Sequence, residues 1–144
     1  MKLFLGSDHA GFVLKSRVLK NLAEQKGLEI FDCGCFSNNV PVDYPDVAID
    51  LCRRLLSQKA QGVLFCGTGV GMAIAANKVE GIRAVCGVDY FSVEMARRHN
   101  DVNVLCLGER VVGLGIATML VKVFLNTPFD GGRHKNRVEK LKFN

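Results

Sequence analysis

Short apolar runs rich in β-branched or aromatic residues alternate along this chain with stretches in which apolar residues return every three or four positions. The runs predict strands over 2–6, 28–32, 62–66, 83–88 and 102–107. Between the first two, Leu14, Val18 and Leu22 recur at four-residue steps with Lys15, Arg17 and Lys20 off that stripe, so an amphipathic helix is expected, ending near Gly27. Further helices are expected over 45–57, 69–78, 90–98 and 112–125, with a basic segment starting near Arg133.

Strands that alternate with helices signal parallel β/α units. The expectation is an α/β protein: a three-layer α/β/α, Rossmann-like or flavodoxin-like fold with a five-stranded parallel sheet in the order 2-1-3-4-5. In that order the chain reverses between strands 1 and 3, and their carboxyl ends flank a crevice suited to a ligand. Strand 1 runs into Ser7, Asp8, His9, Ala10 and Gly11 there, and strand 3 into Cys66, Gly67, Thr68, Gly69, Val70 and Gly71.

The 144 residues suit one domain spanning 1–144, and 49% hydrophobic with 23% charged residues exclude disordered, collagen-like and coiled-coil classes. The opening MKLFLGSD is too short in apolar residues for a signal-peptide core, and the apolar stretch 111–125 contains Lys122 and falls short of a membrane span. A soluble, cytoplasmic protein without membrane contact is expected, and its six cysteines then read as reduced thiols. Cys33 and Cys35 form a lone C-x-C and the three histidines are far apart, so no metal site is expected. Nineteen basic against fourteen acidic residues give a net charge of +5, of which the last fifteen residues carry +3. Basicity this local favours one anion site over a polyanion surface. With two Tyr, no Trp and, apart from Phe143, no aromatic residue among the C-terminal cations, nucleic acid is not an expected partner.

The segment CGTGVG has no Walker lysine, and Met72 stands where a dinucleotide fingerprint would need a third glycine, so a nucleotide site is disfavoured. The glycines with Thr68 offer a row of unobstructed N–H donors for a phosphate or an oxyanion, or else simply a tight turn from strand to helix. Cys66 abuts that row, which favours its thiolate, so it suits a base or a nucleophile; most of the other cysteines read as small buried apolar residues. Asp8 and His9 emerge on the same crevice to bind hydroxyls, orient a phosphate or move protons, unless Asp8 only caps the next helix. Arg97, Arg98 and His99 complement a helix C-terminus if nothing more. Helices run antiparallel to the strands, so His99 belongs at the edge opposite the crevice; in a catalytic role it would serve another subunit's site, in a symmetric dimer. Arg133 and Arg137, at i and i+4, share a helix face from which both forks reach one phosphate, the alternative being a solvated basic tail.

Taken together, GSDHAGF (6–12), DYP (43–45), CGTGVGMAIAANK (66–78), GIRA (81–84), RRHNDVNVL (97–105), GERVVG (108–113) and GGRHKNRV (131–138) resemble the ribose-5-phosphate isomerase B family over nearly the whole chain. That family belongs to a wider group of sugar-phosphate isomerases that includes the galactose-6-phosphate isomerase subunits. The resemblance implies interconversion of ribose 5-phosphate and ribulose 5-phosphate, a step of the non-oxidative pentose phosphate pathway, without metal, nucleotide or other cofactor, at sites between subunits. It implies Cys66 as the base at C2, His99 as acid and base in ring opening, Asp8 on the hydroxyls of the reacting end, and Thr68 between O1 and O2. The N–H groups of Gly67, Thr68, Gly69, Val70 and Gly71 would hold the enediolate oxygen. His9, Arg110, Arg133 and Arg137 would hold the phosphate, Tyr44 and Asn100 would contact the sugar, and His134 is a further contact. One branch of the family has a glutamate base where this chain has Met72, which accepts no proton. The galactose-6-phosphate relatives lack the counterparts of His99 and of the paired arginines, which favours ribose 5-phosphate over galactose 6-phosphate and leaves longer sugar phosphates such as allose 6-phosphate as side substrates. A homodimer is expected, or a tetramer of paired dimers, with the basic segment 131–144 packed on a partner subunit. The rival reading is a non-catalytic module that binds a phosphorylated metabolite.

Overall fold

A computed structural model describes residues 1–142. Strands β1 (Lys2–Ser7), β2 (Glu29–Asp32), β3 (Gln61–Cys66), β4 (Ala84–Cys86) and β5 (Val104–Gly108) pair in parallel in the order β2-β1-β3-β5-β4. The helices are α1 (Phe12–Leu22), α2 (Tyr44–Ser57), α3 (Val70–Ala76), α4 (Tyr90–Asn100), α5 (Leu114–Asn126) and α6 (Arg133–Glu139).

The three-layer parallel α/β fold is as expected, but the strand order is not: β5, rather than β4, lies beside β3. The reason is burial. All five residues of β5 are buried, as a central strand requires, whereas the three of β4 are half-buried and suit an edge. The reversal between β1 and β3 is unaffected, so the crevice keeps its place.

Side chains alternate across the sheet and build two cores. On one face Leu3, Leu5, Val63, Phe65, Leu105 and Leu107 pack beneath α1, α4 and α5, whose contributions include Val18, Val93 and Phe124. On the other, Phe4, Leu64, Cys66 and Cys106 meet Leu51 and Leu55 of α2 and Met72 of α3. Phe4 stacks on Phe31 there, ring centroids 4.8 Å apart.

Lys15 departs from its expected place. Its side chain is 0% exposed, on the buried stripe of α1 beside Leu14, Val18 and Leu22. Its Nζ donates to Asp32 Oδ1 at 2.5 Å and to the Cys35 carbonyl at 2.8 Å, with the Phe12 and Phe36 rings within 6 Å. A buried ammonium is tolerable only with such partners. The ion pair ties α1 to β2 and to the irregular segment leading into α2.

At the other edge of the sheet, Asn77 Oδ1 accepts the Ala84 N–H at 2.9 Å while its Nδ2 donates to the Ala84 carbonyl at 2.9 Å. One side-chain amide thus replaces a missing neighbour strand at that residue.

Candidate active site

Three consecutive carbonyls at the end of β3 organise the crevice. Phe65 O accepts the Asp8 amide at 3.2 Å, Cys66 O the Glu109 amide at 2.9 Å and Gly67 O the Arg110 amide at 3.0 Å. The loops after β1 and β5 are therefore fixed to the loop after β3 on either side. Backbones come this close because side chains are missing. A Cβ on Gly11 would lie 2.3 Å from the Phe65 carbonyl carbon, and one on Gly108 would lie 2.5 Å from that of Thr68.

Cys66 points to the α2/α3 face of the sheet and is 5% exposed. The Gly69 N–H donates to its Sγ across 3.0 Å, a contact that favours negative charge on sulfur. Gly69 takes φ +82, a left-handed conformation that few other residues adopt, and it turns the chain from β3 into α3. The Thr68 Oγ1 accepts the Val70 N–H at 3.3 Å, which leaves the hydroxyl proton directed elsewhere. Two of the five expected donors, Gly69 and Val70, thus already have partners within the loop.

Asp8 is buried, and its Oδ1 accepts the Gly11 N–H at 3.0 Å. It shapes the turn before α1 without capping an amide inside the helix, and keeps a second carboxylate oxygen for a ligand. His9 Nδ1 accepts the Val42 N–H at 3.2 Å, so the neutral ring carries its proton on Nε2. The Arg110 guanidinium lies over Gly67, with Nη1 3.1 Å from where a Cβ would stand. Tyr44, at the start of α2, covers Gly71 in the same way at 3.0 Å. Thus Cys66, Thr68, Asp8, His9, Tyr44, Arg110 and the glycine loop meet at one end of the sheet, within one chain.

All six cysteines are free. Burial pushes the Cys52 thiol up to about 12. Cys106 is raised well above its ordinary value by burial, with the charges of Cys86, Cys52 and Cys66 adding to it. Burial first, and then Cys66, raises Cys86. These three remain protonated, apolar neighbours of the crevice.

His99, Asn100, Arg133, Arg137 and His134 gather at the other end of the sheet. The last turn of α4 carries His99 to the amino ends of the strands, where Arg83 Nε donates to the Asn100 and Asp101 carbonyls at 3.0 and 2.9 Å. His99 stacks on His134 of α6, with centroids 4.2 Å apart. Cys66 pairs with Gly108, four residues beyond Val104, so about 13 Å of strand at ~3.3 Å per residue separates the two groups. No single chain brings Cys66 and His99 to one ligand in this arrangement.

Three groups were not foreseen from the sequence. Asp130 joins the histidines, and its carboxylate takes both of its contacts with Arg98 Nε at 3.2 Å. Donor atoms of His99, Asp130 and His134 lie within 4.8 Å of one another. They do not suit a metal, because lone pairs of parallel stacked rings cannot converge on one ion and Arg98 holds the carboxylate. Glu109 places its Oε2 2.9 Å from the Leu14 N–H. Lys15 is the third; its spacing of three residues from Val18 and seven from Leu22 was the available signal. Glu109 was visible as the acidic neighbour of Arg110, and Asp130 as the residue before the Gly131–Gly132 pair.

No helix among the described residues is long and apolar enough to cross a membrane. The sequence model of the family described as Ribose/Galactose Isomerase matches residues 3–141. The chain is 44% identical over 141 residues to ribose-5-phosphate isomerase B of Escherichia coli strain K12, covering 97% of this chain and 93% of that one. A crystal structure of ribose 5-phosphate isomerase from Thermotoga maritima superposes with a TM-score of 0.93 at 45% identity, covering 98% of this chain and 97% of the other. Ribose-5-phosphate isomerase B from Mycoplasma genitalium, solved with bound ribulose 5-phosphate, gives a TM-score of 0.91 at 37% identity over 97% of this chain and 93% of that one.

Proposed function

The chain belongs to the ribose/galactose isomerase family, and on that premise we propose that it interconverts ribose 5-phosphate and ribulose 5-phosphate, with Cys66 as the base. The observation that carries this reading is the Gly69 N–H on Cys66 Sγ, in a crevice that also presents Asp8, Thr68 and Arg110.

Isomerisation needs a proton taken from C2 and one delivered to C1. With the sugar open, the Cys66 thiolate removes the C2 proton, and the electron pair moves through C1 to leave charge on O1. Amides along the glycine loop stabilise that enediolate oxygen, a contribution of about 10² to 10³ in rate per donor. Thr68, whose oxygen is held by the Val70 amide, passes a proton from O2 to O1. The thiol returns its proton to C1 as the C2 carbonyl forms, and the thiolate is regenerated. A positioned base of this kind contributes about 10² to 10⁴. Met72 is buried and has no acidic atom, so it takes no part in the proton transfer.

The Asp8 oxygen not bound to Gly11 accepts a sugar hydroxyl, and Tyr44 flanks the reacting end. His9, fixed with its proton on Nε2, donates to the phosphate, as does Arg110 of the same chain. Ring opening, the remaining phosphate contacts and Asn100 come from a second copy of the chain. His99 moves the proton between the ring oxygen and the anomeric hydroxyl, and Arg133 and Arg137 clamp the phosphate, with His134 beside them. Support for a homodimer comes from the separation of the two groups in one protomer. Exposed Val70 and Ile74 on α3, next to the glycine loop, give such a contact an apolar face. Residues 131–142 lie on the partner in this arrangement; residues 143 and 144 lie outside the described ones. Six free thiols suit the reducing cytoplasm.

The test is a coupled assay of ribose 5-phosphate conversion, with allose 6-phosphate and galactose 6-phosphate as comparators. Turnover is expected with the pentose phosphate. In Cys66→Ala it should fall about a thousandfold while ribulose 5-phosphate still binds. Unchanged turnover in that variant refutes the role of the thiol.

A further inference from the structure

Helix α1 opens without a cap of its own: Gly11 offers no side chain, and its first turn holds no acidic residue. The Leu14 N–H nevertheless has a charged acceptor, Glu109 Oε2 at 2.9 Å, which comes from a loop 95 residues further along the chain. That loop is the one whose next residue is Arg110.

The frame of the crevice has two flanks. On one, α1 and the turn of Asp8 and His9 attach to β3 through the Asp8 amide and Phe65 O; on the other, Glu109 and Arg110 attach through Cys66 O and Gly67 O. Each flank is thereby tied to the central strand. The Glu109 carboxylate ties the two flanks directly to each other. We propose that Glu109 is a positioning residue: by gripping the amino end of α1 it sets the placement of Arg110 relative to Asp8 and His9.

Chemistry favours a carboxylate in this place. Its charge complements the positive end of an eleven-residue helix, and its two-carbon stem reaches Leu14 while its own amide stays on Cys66 O. The guanidinium one residue later then has its backbone fixed at both Gly67 O and, through Glu109, at α1. A phosphate clamp works by orientation, so an unfixed clamp weakens binding rather than the proton transfer itself.

The proposal rests on the reading that Arg110 and His9 hold the phosphate, and the experiment keeps the two apart. Hydrogen exchange on the whole protein without substrate should show protection at the Leu14 and Arg110 amides falling together in Glu109→Ala, by about tenfold. In the same variant KM for ribose 5-phosphate should rise about tenfold with kcat within about threefold of the parent. Glu109→Gln retains an oxygen acceptor and should restore most of both. If Leu14 alone loses protection and KM is unchanged, Glu109 is a plain helix cap and the proposal is overturned. A Gln variant as weak in KM as the Ala variant overturns it too. If Arg110→Ala leaves KM unaltered, the phosphate assignment fails instead, and paired loss of protection at Leu14 and Arg110 still reports the brace.

Discussion

The His99 imidazole lies flat on that of His134, with centroids 4.2 Å apart and planes within 6°. Burial first, then the charges of His99, Arg133 and Arg137, push His134 below its ordinary value, against a smaller upward pull from Asp130. The unfolded chain therefore takes up a proton at His134 before the folded one does. The folded state loses stability from this group as pH falls through about 6.5 and regains it above. Thermal unfolding at about pH 5.5 and about pH 7.5 should show a smaller acid-side loss in His134→Gln than in the parent protein.

Cys66 and His99 sit at opposite ends of the sheet, so complementary inactive chains should rescue each other. After subunit exchange between Cys66→Ala and His99→Ala proteins, each mixed dimer has one site with both residues intact. Activity should return to about a quarter of the parental value, since about half the dimers are mixed. Proven exchange without recovery would count against sites shared between chains.

Two glycine substitutions should have opposite signs. Gly108→Ala drives a Cβ to within 2.5 Å of the Thr68 backbone. It should lower stability by about 2 kcal/mol and reduce turnover by displacing the loop after β3. Gly115, in α5, has nothing within 4 Å of its Cβ position, and Gly115→Ala should add about 0.5 kcal/mol. Urea titrations of both, alongside the activity assay, check the pair.

Removing Asp32 should harm the protein more than removing the lysine it neutralises. Asp32→Ala strands the buried Lys15 ammonium and should cost about 3 kcal/mol. Lys15→Met fills similar space without a charge and should cost about 1 kcal/mol. Equal losses by chemical denaturation would show that Asp32 is solvated well enough to contribute little.

Much of this architecture could be read from local pattern. The apolar runs located every strand, and the residues after β1 and β3 marked the crevice because polar and glycine residues there interrupt otherwise apolar segments. Boundaries moved where single residues decide them. Gly69 is in the left-handed conformation, so α3 starts at Val70 and not at 69. Asp101, with φ +47, ends α4 at Asn100, two residues beyond the expected stop. The exchange of β4 and β5 was not legible, since an apolar run of either length pairs equally well with β3 until long-range packing chooses. Lys15 was misplaced for a related reason: a charged residue looks solvent-bound unless its partner, Asp32, is known to face it. Antiparallel helix geometry did put His99 at the far edge, but its stacking on His134 depends on how α6 folds back, which spacing alone does not encode.

Under the proposed division of the site between two copies, the protein has to attract its twin without attracting a crowd. An open sheet border recruits strands indefinitely and leads to fibres rather than to counted assemblies. The carboxamide of Asn77, by occupying both backbone groups of Ala84, withdraws that border from the competition. That border then does not compete with the proposed dimer contact, whose twofold-related surfaces close after a single encounter.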